Sequence, residues 1–207
     1  MRAHHCRYDH GFSLLELVIV IVLVSMLAVG ATQPILAALR SRSAVAANLS
    51  AIDGLRFATE RIVRELRQTR YDAQGSGFQL LPLDALTGTT NASRGICFTR
   101  VGGAAGTTLS SVAVRQSGTL ATLDHVTLPA CTASSPMTLA NNISAVRFDY
   151  WRFGSGSTAL PLSLTDPNFS TLLAYVDVTL SATPASGTPI SYRSRVVLRN
   201  GAWGAKK

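Results

Sequence analysis

Imidazole and thiol groups crowd the first ten residues, where His4, His5, Cys6 and His10 offer donors of the kind that bind zinc. Their spacing follows no recognised ligand framework, so no metal site is expected there, and no cofactor is expected anywhere in the chain. The next reactive group stands alone. Glu16 is flanked by Leu14, Leu15, Leu17 and Val18, and no further formal charge occurs until Arg40. A carboxylate near a bilayer centre costs about 2.5–3.5 kcal/mol on insertion scales. It therefore needs an opposite charge and hydrogen-bond donors from somewhere.

Beyond residue 10 the chain is poor in catalytic chemistry. His125 is the one remaining histidine, neither GxSxG nor HExxH occurs, and Cys97 and Cys131 lack a local nucleophile signature. Asp124, Asp149, Asp166 and Asp177 are scattered and read as turn residues or the solvated sides of strands. Gly154 to Thr158 lack the lysine and the spacing of a phosphate loop. Asn48, Asn91, Asn142 and Asn168 each open an Asn-x-Ser triplet, which a Ser-rich composition produces readily. No catalytic residues are assigned, and an enzyme is not expected.

The elements that hold these groups change character along the chain. Residues 11–39 form an apolar run longer than the roughly 18 residues that suggest a membrane-spanning helix. Gly30 and Pro34 fall inside it, and proline's missing N–H predicts a bend or a loosened stretch. Val45, Leu49, Ile52, Leu55, Thr59, Ile62 and Leu66 then advance in steps of three or four, marking one apolar stripe. Glu60 with Arg64, and Arg61 with Glu65, have i,i+4 spacing and read as a solvated helix face. The helix would extend from Phe12 to about Gln68, roughly 85 Å at 1.5 Å per residue. Strands are expected at 78–83, 96–101, 111–116, 125–128, 145–153, 174–181 and 192–199, with alternation clearest around Phe148 and Val178. The resulting fold is α+β: a long N-terminal helix, membrane-spanning in its first half and amphipathic in its second, packed on an antiparallel β-sheet head. The expected divisions are a leader at 1–11, an apolar helix at 12–39, an amphipathic helix at 40–72 and a β-rich head at 73–207.

A short basic leader ending in Gly11, then Phe12, Ser13, Leu14, Leu15, the lone Glu16 and a long apolar helix, resembles the type IV prepilins and the pseudopilins of type II secretion. That resemblance implies processing between Gly11 and Phe12 by a prepilin peptidase, N-methylation of Phe12, and packing of the apolar helices in a filament core. It further implies that Phe12 and Glu16 act in assembly, the Glu16 carboxylate meeting the Phe12 ammonium of a neighbouring subunit. The implied partners are other pilin or pseudopilin subunits, the peptidase and an inner-membrane assembly platform. The implied location is the bacterial inner membrane, single pass with a periplasmic head, and then a pilus or pseudopilus. Arg2 and Arg7 before the apolar run agree with that orientation. An ordinary signal peptide fits poorly, because Gly11 precedes the apolar core and Glu16 lies within it. The helix ending at 60–68 and the terminal strand at 194–200 lean towards the J-like minor pseudopilins and minor pilins.

With Cys6 in the leader, Cys97 and Cys131 form an even pair in a head outside the cytoplasm, where disulfides persist. A bridge between them is expected, with two buried free thiols as the alternative. The 207 residues suffice for one head plus the helix, and the formal charge of +8 attracts phosphates and acidic surfaces. No compact Lys/Arg run with interleaved aromatics appears, so nucleic acid is not a leading partner. The leading function is a structural minor subunit of a type IV pilus, assembled into or priming the filament. The alternatives are a minor pseudopilin of type II secretion, or a pilus-borne adhesion or DNA-binding subunit.

Overall fold

The structure, a computed structural model, describes residues 13–72, 77–102, 108–127, 131–133, 136–154, 158–184 and 188–198. His4, His5, Cys6, His10, Gly11 and Phe12 lie outside the described residues, as do 73–76, 155–157, 185–187 and 199–207. The chain divides into two compact units, 1–46 and 47–207.

Helix α1 (Leu14–Arg67) supplies the described structure of the first unit. It runs through Gly30 and Pro34 without interruption, so the expected loosening does not break it. Every residue from 13 to 43 is exposed. The hydroxyls of Ser25 and Thr32 donate back to the Val22 and Val29 carbonyls, each at 2.8 Å, so neither leaves an unpaired donor on the apolar surface.

In the second unit the remaining turns of α1 bury Leu55, Ala58, Thr59, Ile62, Val63 and Leu66. The expected stripe is therefore covered only from Leu55 onward; Val45, Leu49 and Ile52 are exposed. Small residues make the approach near Leu49 and Ile52, where a Cβ on Gly54 would lie 4.0 Å from the Ala140 Cβ.

Strands β1 (Tyr71–Asp72) and β2 (Gly77–Phe78) form a small antiparallel ribbon. Gly77 has φ 74°, and a Cβ there would meet the Ser170 backbone at 2.4 Å, which only glycine avoids. The main sheet comprises β3 (Leu80–Ala85), β4 (Ala92–Gly102), β5 (Thr108–Ser117), β6 (Leu120–Thr127), β7 (Thr132–Ala133), β8 (Met137–Ala140), β9 (Ile143–Phe153), β10 (Ala159–Pro161), β11 (Tyr175–Ala182) and β12 (Ile190–Val197). A short helix, α2 (Phe169–Leu172), precedes β11. The order is β12-β11-β9-β4-β5-β6-β7, with β3 added to β4, β8 to β6 and β10 to β9. All the pairs are antiparallel, so the α+β reading with an antiparallel head holds. The expected strand at 78–83 divides between β2 and β3, and the expected strand at 125–128 is the end of a longer β6.

Strand β4 pairs with β9 only at Ala92 and Ser93, and with β5 from Gly95 onward. Past that junction a side chain joins β5 to β9. The Gln116 amide donates to the Ser144 carbonyl at 3.3 Å and accepts from the Val146 N–H at 3.1 Å. One face of the sheet packs Ile96, Phe98, Val112, Val114, Phe148, Tyr150, Val176 and Val178 into a single core with the helix. Tyr150 satisfies its buried hydroxyl with Ser93 Oγ at 2.8 Å, and burial pushes the phenol well above its usual range.

Candidate functional site: an apolar helix with one acid, and a braced head

Glu16 sits in the first turn of α1, whose opening N–H groups bond the Ser13 carbonyl from Glu16 at 3.0 Å and from Leu17 at 3.1 Å. A negative charge is favoured at that end by the helix dipole, an effect of about 0.3–1 kcal/mol. The Glu16 side chain is exposed, and it has no partner among the described residues. Around it Leu14, Leu15, Leu17 and Val18 are also exposed, the first at 82%. An 18-residue window of α1 reaches a mean hydropathy of 2.8 with none of it buried, so the helix is long and apolar enough to cross a membrane. A helix apolar on all sides needs lipid or other helices around it.

Cys97 and Cys131 are joined by a disulfide with Cα atoms 6.3 Å apart. Cys97 lies opposite Ala113, and Ala113 opposite Asp124, across β4, β5 and β6. This row occupies the face turned away from the main core, where Cys97, Ala113 and Cys131 form a second, smaller apolar cluster with Leu83 and Val126. Arg115 donates from Nη2 to the Cys131 carbonyl. The bridge thereby fixes residue 131 over the back of the sheet.

The head also buries charges that the sequence suggested would be solvated. Glu65 is 2% exposed and pairs with Arg61 at 2.8 Å and with Arg100 from β4. Glu60 bonds Arg56 at 2.9 Å, not Arg64. Asp149 and Asp177 are buried with arginine partners, whereas buried Asp124 keeps one carboxylate oxygen without a hydrogen-bond partner. Burial pushes the Asp124 carboxyl upward, against the opposing pull of Arg115 and His125. Only Asp166 keeps the expected turn role, accepting the Asn168 N–H at 2.9 Å. The arginines at alternate positions of β12 were the available signal for Asp177. The sequence contains nothing local to pair Glu65 with Arg100, 35 residues away.

His125 is exposed on β6, and among the described residues no three of His, Cys, Asp and Glu gather into a metal-binding group. The structure thus brings together Cys97 with Cys131, and Glu65 with Arg100, but leaves Glu16 by itself among the described residues.

Residues 6–32 match the family model of the prokaryotic N-terminal methylation motif. No curated protein matches the chain. The matched residues include Gly11, Phe12, Glu16 and the first turns of the apolar helix. They point to a structural subunit, processed by a prepilin peptidase and assembling with other pilin subunits. The methylation motif and the apolar helix that follows it support a protein of the type IV prepilin and pseudopilin class.

Proposed function

We propose that the chain is a minor structural subunit of a type IV pilus, cleaved between Gly11 and Phe12 and methylated on the new Phe12 amine. Before assembly, the apolar helix holds it in the inner membrane with the head on the periplasmic side. On extraction into a filament, the Glu16 carboxylate meets the Phe12 ammonium of a neighbour. The observation that supports this most is an acid without a partner among the described residues, on a helix whose apolar surface is exposed all round. Lipid would cover the surface and leave the acid costly. A bundle of like helices would cover the surface and bring an ammonium to the acid, which removes the penalty of an unpaired buried charge.

Type II secretion pseudopilins carry the same kind of motif, and the J-like stretches at 60–68 and 194–200 keep that machine as the second reading. The test is intact-mass measurement of the chain from cells with and without the peptidase, followed by recovery in sheared filaments. Loss of residues 1–11 with gain of one methyl group, and recovery in pili, is expected. An uncut chain, or a cut after the apolar run, sinks the reading. Recovery dependent on secretion genes alone moves it to the pseudopilus.

A further inference from the structure

Strand β12 closes one side of the sheet and, among the described residues, pairs only with β11. The Leu198 N–H bonds the Ala174 carbonyl, and the register runs from Tyr175 opposite Val197 to Ala182 opposite Ile190. In an antiparallel ladder the bonded pairs alternate. Tyr192, Ser194 and Val196 therefore bond β11, while Ser191, Arg193, Arg195 and Val197 turn their N–H and C=O groups outward.

Such a row is a template for another strand unless something blunts it. The other free edges of the sheet are short or broken by proline: β3 carries Pro82, β10 is three residues long and carries Pro161, β7 is two residues long and β8 is four. Strand β12 has eight residues, no proline and no interruption in its pairing with β11. Its two charges do not guard the edge either, because Arg193 and Arg195 fold back onto Asp177.

Beside β12 lies an open groove of about 460 Å³, lined by Thr59, Val63, Arg64 and Arg67 of the helix and by Tyr192 and Ser194. Arg64 and Arg67 have no ion-pair partner among the described residues, and the one carboxylate in the groove, Glu60, is engaged by Arg56. The groove thus sets Val63 and Tyr192 beside two arginines that have no carboxylate partner among the described residues. With a formal charge of +8, a second copy of this chain would be repelled.

We infer that the free edge of β12 binds an extended, acidic segment of a different subunit, which adds a strand along residues 191–197 and sets carboxylates against Arg64 and Arg67. Main-chain bonds supply the attachment, and the charges supply the choice of partner. The partner's identity as a subunit rests on the assembly reading above; the edge itself does not.

The full-length chain in detergent should be titrated with an eight-residue capped peptide alternating valine and glutamate, beside its valine–lysine counterpart, and followed by amide hydrogen exchange. The acidic peptide is expected to slow exchange at Ser191, Arg193, Arg195 and Val197, to bind at least tenfold tighter than the lysine peptide, and to weaken with added salt. Arg64→Gln with Arg67→Gln should reduce that preference severalfold. Ser191→Pro with Val197→Pro removes only outward N–H groups and should abolish binding while exchange in β9 and β11 stays native. Equal binding of both peptides, absence of protection on β12, or protection that grows with the chain's own concentration would overturn the inference. Filament entry separates the two readings. If the proline variant assembles like the wild type, the edge has no assembly role and the inference fails while the subunit reading stands. If the wild type never assembles, the subunit reading fails and takes the partner's identity with it.

Discussion

Asp149 and Asp177 stand directly opposite each other on β9 and β11, and both are buried. Like charges in that position destabilise a sheet unless each is neutralised. Arg147 donates to Asp149 at 2.7–2.9 Å, and Arg193 and Arg195 donate to Asp177 at 2.6 and 2.8 Å. Arg195 also lies over the Tyr175 ring, 4.3 Å from its centroid. A row that would be repulsive is neutralised, on β9 by an arginine of the same strand and on β11 by two arginines of β12.

Burial pushes the Asp177 carboxyl up, but its bonds to Arg195 and Arg193 outweigh that and hold it below the usual carboxylate range. A depressed folded pKa contributes stability that is present above the unfolded value and lost as pH falls through the folded one. Thermal unfolding of the wild type should therefore become easier below about pH 4. Asp177→Asn should lose about 1–3 kcal/mol at pH 7, the cost of leaving buried partners poorly paired. The gap between the two proteins should narrow in acid. A constant difference across pH would remove the ion pairs from the explanation.

Asp124 predicts the opposite sign. Its carboxyl is raised by burial, so ionising it opposes folding at pH above the folded value, and that penalty vanishes below the unfolded one. Asp124→Asn should raise the Tm at pH 7 and leave it unchanged near pH 3. A lower Tm at pH 7 would show that the carboxylate is needed charged.

The bridge closes a separation of 34 residues, for which the chain-entropy model gives about 4 kcal/mol. Cys97→Ser with Cys131→Ser should lower head stability by about 2–4 kcal/mol in chemical denaturation. An unchanged midpoint would mean that the small back cluster holds residue 131 without the bond.

The two ends of the apolar stripe should behave differently. Ile62 is fully buried, and Ile62→Ala should cost about 2–5 kcal/mol. Leu49 is 57% exposed, and Leu49→Ala should stay within about 0.5 kcal/mol in the same denaturant titration. Equal losses would mean that the head covers the helix further towards its N-terminus.

Periodicity made the helix and the long strands legible, because each of those elements repeats one pattern over many residues. It extended the buried stripe too far, since spacing alone does not reveal that Ala51 and Gly54 rather than Leu49 and Ile52 meet the head. Strands β1, β7, β8 and β10 are two to four residues long, too short for an alternation to register. The buried acids escaped for another reason. Asp177 and Glu65 read as surface residues because Arg193, Arg195 and Arg100 reach them through strand register or from a distant part of the chain, while Asp149 has its arginine two residues away and is buried by the sheet around it. Glu16 was legible from the start, because a lone charge within an apolar run is a local anomaly.

The central claim is that Glu16 acts between subunits, and the most direct measurement is the share of membrane-inserted Glu16→Ala protein recovered in sheared filaments, relative to wild type. Insertion should be unchanged or improved, since the desolvation cost of the acid is gone. Recovery should fall by at least about tenfold, because an ammonium left without its partner in an apolar core costs about 3–5 kcal/mol. Wild-type recovery of the alanine variant, with normal insertion and an intact head disulfide, would contradict the account.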